Sequence, residues 1–298
     1  MKIGVLGAGA VGCYYGAMLA RAGHEVLLVG RPQHVDAVRR DGLLLQTQAA
    51  REYVPMRASV DIGELRGSAL VLFCVKSTDT VPAGAQLAPV LDAQALVLCL
   101  QNGVDNAPRL QALLPCVAAP AIVYVAAGMA GPGHVRHHGR GDLVVGPAPG
   151  GAQFAGLFEA AGVPVRVSDA LEGELWGKLV INCAYNALSA IARLPYGRLV
   201  QGEGVPDLMQ AVVQECMAVA QAEGVQVPGD ILHEVRAIAG SMAGQHSSTG
   251  QDLARGKRTE IDHLNGYVAR RGAALGVPTP VNRTLQVVVK LLEAPPSG

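Results

Sequence analysis

Apolar residues along this chain fall into two regimes that change near residue 170. In the first, short apolar runs bounded by glycine and polar clusters recur at 2–6, 25–29, 69–75, 95–100, 121–126, the pair 133–138 and 142–145, and 163–167. Several are almost continuously apolar, which is the pattern of strands buried on both faces of a parallel sheet. Helical or turn-rich segments lie between them, so this part predicts a doubly wound α/β sheet with a hairpin appended. From residue 171 onward longer segments of helical period take over, punctuated by Gly202, Gly224, Pro228, Gly240, Gly276 and Pro278. No strand run of comparable strength remains there. The chain therefore divides into an α/β domain over 1–168 and a second, all-helical domain over 169–298. The boundary falls at Ser168-Asp169, where a strand ends and a capping pair precedes the next helix. The tail Pro295-Pro296-Ser297-Gly298 is expected to be disordered.

The first strand runs straight into Gly7-Ala8-Gly9-Ala10-Val11-Gly12, and a helical segment over 13–22 stops at Gly23 before the strand at 25–29. With 37 glycines in 298 residues, this spacing arises by chance about 0.5 times per chain, so the surrounding strand, helix and strand decide its meaning. They make a βαβ unit whose glycine turn and helix N-terminus suit a pyrophosphate, which implies a dinucleotide. At the end of the second strand, where an NAD-binding chain carries an acidic residue for the ribose 2′-hydroxyl, this one reads Gly30-Arg31-Pro32. A guanidinium there pairs with a 2′-phosphate, so NADP(H) is expected rather than NAD(H). A solvated arginine in a surface turn is the alternative.

Composition narrows the classes further. Lys plus Arg and Asp plus Glu balance at 24 each, with 16% of residues charged and 50% hydrophobic, so no global field favours nucleic acid or an anionic membrane. The six cysteines, Cys13, Cys74, Cys99, Cys116, Cys183 and Cys216, stand singly in mostly apolar surroundings and read as reduced, buried thiols. With no signal-like start and no apolar stretch long enough to span a bilayer, a cytoplasmic protein is expected. His134, His137 and His138 sit on both faces of one strand and imply no metal. A Gly-x-Ser-x-Gly elbow and a Walker sequence are both missing, which removes support for hydrolase and NTPase readings.

Ligands of open parallel sheets bind beyond the carboxyl ends of the strands, where this chain places Lys76 and Gln101-Asn102-Gly103. Ordinary loop polarity competes with a functional reading at each. In the second half, the apolar segment 175–191 carries Lys178, Asn182 and Asn186 at spacings of four, on one stripe of a helix. Polar groups embedded in such a segment face a ligand or serve partners within the fold, through interhelical hydrogen bonds and a buried ion pair. Farther on, Ser248 lies in a polar loop and can bind a carboxylate. Thr259 caps a helix whose first turn holds Glu260 and Asp262.

Taken together, Gly7 to Gly12, Arg31, Val75-Lys76, Gln101-Asn102-Gly103, Leu175-Trp176-Gly177-Lys178-Leu179 with Asn182 and Asn186, Ser247-Ser248, Glu260-Ile261-Asp262 and Asn265-Gly266 give the chain a resemblance to the ketopantoate reductase family over nearly its whole length. The resemblance implies a Rossmann domain followed by an all-helical domain, NADPH as hydride donor, and reduction of 2-dehydropantoate to pantoate on the route to coenzyme A. It implies Lys178 as general acid and Glu260 as its carboxylate partner. It also implies Asn102, Asn182, Asn186 and Ser248 as contacts of a small 2-keto acid, and Gly7, Ala8, Gly9, Ala10, Val11, Gly12, Arg31, Lys76, Gln101 and Asn102 at the cofactor. Where the best-known members carry Pro-Asn-Gly, this chain reads Pro195-Tyr196-Gly197, and Thr249-Gly250 replaces a bulkier apolar pair after Ser248. A paralogue acting on another branched 2-keto acid and a non-catalytic NADPH-binding regulator are the alternatives. Neither nucleic acid nor membrane is an expected partner; the oligomeric state stays open, a homodimer included.

Overall fold

A computed structural model describes residues 1–147 and 151–293, and the tail at 295–298 lies outside them. The chain forms two compact units, Met1–Leu171 and Glu172–Gly298. No helix among the described residues is long and apolar enough to cross a membrane.

The first unit is built on a ten-stranded mixed sheet. In chain order it contains β1 (Lys2–Leu6), α1 (Ala10–Arg21), β2 (Glu25–Val29), α2 (Pro32–Asp41), β3 (Leu43–Gln46), β4 (Arg51–Val54), β5 (Arg57–Ser59), β6 (Leu70–Phe73), α3 (Thr80–Leu87), β7 (Leu96–Cys99), α4 (Asn106–Gln111), β8 (Val117–Gly131), β9 (His134–Val145), α5 (Gly151–Ala160) and β10 (Val165–Val167). The strand order is β4-β3-β9-β8-β7-β6-β1-β2-β5, with β10 also paired to β9. Strands β5, β2, β1, β6, β7 and β8 run parallel to one another, and β8 then pairs antiparallel with β9. Their alternate residues enter two separate cores. Ile3, Val5, Val26, Leu28, Leu70 and Leu72 pack on one side with Tyr15 and Leu19 of α1. Leu6, Leu27, Val29, Val71 and Phe73 pack on the other with Leu87 and Leu110. Burial on both faces is the reason these strands are apolar at consecutive positions.

Three strands escaped the sequence reading. β3 is four residues, β4 carries Arg51 and Glu52, and β5 is three residues long; segments this short give a period of two too few repeats to register. The expected hairpin of 133–138 with 142–145 is also corrected. These residues form one continuous strand, β9, and its antiparallel partner is β8. Gly139-Arg140-Gly141 reads as a turn in sequence but lies within the strand, where register shifts absorb the extra residues as bulges.

The second unit is helical: α6 (Leu171–Ala192), α7 (Tyr196–Leu199), α8 (Val205–Ala222), α9 (Ile231–Ser241), α10 (Ser248–Ala254), α11 (Asn265–Leu275) and α12 (Pro280–Glu293). α6 is its apolar axis, with Trp176, Leu179, Val180, Cys183, Tyr185 and Ala187 almost wholly buried. A buried amide pair ties other helices to it. Asn265 Nδ2 donates to the Cys183 carbonyl at 3.1 Å and to Asn282 Oδ1 at 2.9 Å, and Asn282 Nδ2 donates to Glu215 at 2.8 Å. Each buried amide would be costly unpaired, so the network fixes how α8, α11 and α12 meet α6.

Candidate functional site

In the first unit the glycine turn follows β1, where the order of strands reverses, with β2 on one side and β6 on the other. Gly7 has φ +115°, and its N–H donates to the Val29 carbonyl at 2.9 Å. A Cβ on Gly7 would stand 2.7 Å from the Cys74 carbonyl carbon, and one on Gly12 would stand 2.2 Å from the Gly7 oxygen. Gly9 differs: it is exposed, begins α1 without a side-chain cap, and a Cβ there would meet nothing within 4 Å. The outer glycines allow the loop to fold against its own backbone. The middle one leaves the N-terminal N–H groups of α1 approachable, and that arrangement fits a pyrophosphate. Ala10 and Val11 form the first turn of the helix, and Ala8 packs beneath the loop against Gly30. Arg31 caps α2 in an extended conformation, exposed, with Pro32 as the first helical residue.

The residues beyond β6 and β7 divide by task. Gln101 is 8% exposed; its Nε2 donates to the Val75 carbonyl at 3.0 Å and to Thr80 Oγ1 at 2.8 Å. Its Oε1 is buried without a hydrogen-bond partner among the described residues. Asn106 Nδ2 and Ser77 Oγ both donate to the Asn102 carbonyl, at 2.7 and 3.0 Å. The backbone of Asn102 is thus pinned while its side chain stays half-buried, as does that of Lys76. Ser77, Thr80 and Asn106 were missed in sequence, where short polar residues after a strand look like any loop.

In the second unit, Lys178 and Asn182 are half-buried on α6, and Asn186 is 3% exposed. Asn186 Nδ2 donates to Ser248 Oγ at 3.4 Å, and the Tyr196 hydroxyl donates to Asn186 Oδ1 at 3.3 Å. Residues of three separate helices are thereby brought to one place. Ser248 is corrected from loop to helix. It is the exposed first residue of α10, and the buried Ser247 before it is the cap, accepting from Gly250 N at 3.0 Å and donating to the Asn186 carbonyl at 3.0 Å. Burial, then the neighbouring Tyr185, push the Tyr196 phenol up to about 12, so it remains a donor at neutral pH.

Thr259 is likewise corrected. Its hydroxyl accepts from Ile261 N at 3.2 Å at a single 3₁₀ turn, Ile261–His263, and the α-helix starts only at Asn265. The last turns of α12 hold this segment. Glu293 accepts from both the backbone and the hydroxyl of Thr259, Lys290 bridges Asp262 and Glu293 at 3.0 Å each, and Gln286 donates to Asp262 at 2.7 Å. Gly266 admits Gln286, whose Nε2 would lie 2.6 Å from a Cβ at that position. Glu260, half-buried, therefore sits on a backbone clamped on both sides.

Burial pushes the Asp262 carboxyl up, but hydrogen bonds from Gln286 and Lys290, with the charges of Lys290 and Arg270, leave it below its ordinary value. Glu293 is lowered in the same way, burial opposing the bonds from Thr259 and Lys290. The folded chain then binds fewer protons than the unfolded one across the carboxylate range. The clamp's contribution is present above the ordinary carboxylate pKa of about 4 and is lost as pH falls through the lowered values. Glu293→Gln is expected to lower Tm at neutral pH by about 2–4 °C and to flatten its fall in acid; calorimetric scans over a pH series check both.

An α/β unit whose glycine turn suits a dinucleotide, carried on one chain with a helical unit bearing a lysine, carboxamides and a carboxylate, is consistent with a dinucleotide-dependent enzyme. Comparison with known proteins gives the family. Residues 3–150 match the model "Ketopantoate reductase PanE/ApbA" and residues 170–293 match "Ketopantoate reductase PanE/ApbA C terminal". The chain belongs to the ketopantoate reductase family. It is 33% identical to a 2-dehydropantoate 2-reductase of Halobacterium salinarum over 301 residues, covering 98% of this chain and 99% of the relative. A PanE/ApbA family ketopantoate reductase from Ralstonia eutropha JMP134 is 60% identical, with a TM-score of 0.96 and 98% of each chain covered. D-mandelate dehydrogenase, solved with NADH and anilino(oxo)acetate, is 25% identical with a TM-score of 0.90 over 98% of both chains. The family thus holds NAD(P)-dependent 2-keto acid reductases of more than one substrate.

Proposed function

We propose that this chain reduces a 2-keto acid with NADPH, 2-dehydropantoate to (R)-pantoate being the first substrate to test. The observation that carries the reading is the hydrogen bond between Asn186, on the helix that also bears Lys178, and Ser248 at the start of α10. A carboxamide and a hydroxyl that meet, with a cation on the carboxamide's own helix, support the reading that an anionic oxo acid is held there. NADPH, when bound, supplies the hydride that reduces the keto carbon. The glycine turn and the N-terminus of α1 hold its pyrophosphate, Arg31 pairs with its 2′-phosphate, and Lys76, Gln101 and Asn102 line its approach.

Lys178 stabilises negative charge developing on the substrate oxygen and then transfers a proton to it, leaving a neutral amine that solvent reprotonates. Glu260 orients that ammonium or accepts a substrate hydroxyl. Asn182 donates to a substrate oxygen, and the Ser248 hydroxyl meets the carboxylate. The N-terminal unit acts as the NADP-binding domain and the helical unit as the substrate and catalytic domain. Turnover of NADPH with 2-dehydropantoate and a panel of branched and aryl 2-keto acids tests the reading; oxidation with none of them would favour the non-catalytic regulator.

Arg31 decides the cofactor. Arg31→Ala is expected to weaken NADPH by about tenfold or more, as loss of a charged hydrogen bond does, and NADH by about twofold or less. Fluorescence titration of both cofactors checks it, and equal losses would contradict a 2′-phosphate contact.

A further inference from the structure

We propose that Tyr196 is a positioning residue for substrate recognition, acting through Asn186 to aim the Ser248 hydroxyl at the carboxylate of a 2-keto acid. The inference rests on the reading above that this unit holds the oxo acid.

The aim of the Ser248 hydroxyl depends on which way each hydrogen bond runs. Tyr196 is 8% exposed and its ring lies 4.5 Å from that of Tyr185, centroid to centroid, so little of the phenol is left to touch a ligand. Its backbone is anchored as well, Tyr196 N donating to the Gln245 carbonyl and Gly197 N to that of Ala243, both at 2.9 Å. The hydroxyl donates to Asn186 Oδ1 at 3.3 Å. A carboxamide whose oxygen is taken in this way turns its NH2 to the opposite side, and there Nδ2 donates to Ser248 Oγ at 3.4 Å. A hydroxyl that accepts one bond still has its proton to give. Ser248 is the exposed member of the three, so its O–H can meet a ligand acceptor.

Reversal of the amide would undo this. Asn186 Oδ1 would then face Ser248, draw its proton inward, and leave only oxygen lone pairs toward an anion. Tyr196 opposes that reversal, since turning the amide NH2 toward a buried phenol would take away the acceptor of its O–H. The relay therefore selects an acceptor, a carboxylate, without Tyr196 meeting the substrate itself.

The test combines Tyr196→Phe, Ser248→Ala and the double variant in the full chain. Steady-state kinetics are paired with calorimetric titration of 2-dehydropantoate into protein saturated with NADP⁺, which permits no turnover. Tyr196→Phe, which keeps the ring packed on Tyr185, is expected to raise the keto acid KM and Kd by about tenfold, the worth of one such bond. It should leave kcat within about twofold and cofactor affinity unchanged. With Ser248→Ala already present, the Tyr196 change should add nothing, because the hydroxyl it aims is gone. Asn186→Asp, which replaces the donating NH2 by an acceptor, should raise KM and Kd in the same manner and guards against a folding defect in the tyrosine variant.

An unchanged KM and Kd in Tyr196→Phe, or effects of Tyr196 and Ser248 that multiply independently, would overturn the relay while leaving the reductase reading intact. Binding with the predicted coupling but without turnover of any 2-keto acid would sustain the relay and remove the reductase reading. Neither binding nor turnover would remove both.

Discussion

Lys178→Ala is expected to lower kcat by about 10²–10⁴, the usual contribution of a general acid, with cofactor affinity nearly unchanged. The separation follows from the assignment of tasks: the residues proposed to hold the nucleotide all lie in the first unit, and Lys178 lies on α6 of the second. The fold should persist, because the burial that anchors α6 belongs to Trp176, Leu179, Val180 and Cys183, each no more than 1% exposed. Alanine is also the best helix former at an interior position. Lys178→Arg separates charge from acidity. It keeps a cation, but guanidinium does not give up its proton near neutrality, so a kcat close to that of the alanine variant is expected. Steady-state kinetics with a cofactor titration read both, and unchanged turnover in the alanine variant would take Lys178 out of the chemistry.

Gly12→Ala is the second large effect. A methyl there would be placed 2.2 Å from the Gly7 carbonyl oxygen, 3.0 Å from Val5 and 3.1 Å from the Cβ of Cys74. The closest of these is backbone, so rotating a side chain cannot relieve it; the turn and the start of α1 must separate by about 1 Å. A displacement of that size costs about a hundredfold where groups are held for a ligand. NADPH affinity should fall by about that factor. Gly9→Ala gives the contrast, since its Cβ meets no protein atom within 4 Å. It should leave stability unaltered and weaken NADPH through the ligand alone. Thermal denaturation with and without NADPH distinguishes the two variants.

The parts of the fold legible in sequence were those where one physical cause dominates. Strands β1, β2, β6 and β7 showed themselves because burial on both faces makes consecutive positions apolar, and α6 because a long apolar helix admits few polar residues. β9 was split in two because glycine at residues 139 and 141 signals a turn whether it makes one or is absorbed as a bulge. The glycine turn, Arg31 and the Lys178-Asn182-Asn186 stripe are local patterns and could be read directly. The approach of Asn186, Tyr196 and Ser248 could not, since it depends on how α6, α7 and α10 pack. The clamp on Thr259 and Asp262 was hidden for another reason: Lys290 and Glu293 on the last helix have the appearance of a solvated charged face, yet the Glu293 side chain is 8% exposed.

Reduction of a 2-keto acid is best tested by following the hydride itself. The unaltered chain is incubated with 2-dehydropantoate and NADPH carrying deuterium at the transferable position of the nicotinamide ring, and the product is examined by mass spectrometry and NMR. The expected product is (R)-pantoate with one deuterium on the carbon that bore the keto oxygen, formed in step with NADPH oxidation. NADPH that stays unoxidised with every 2-keto acid offered, or a product without the label, would contradict hydride transfer to the keto acid.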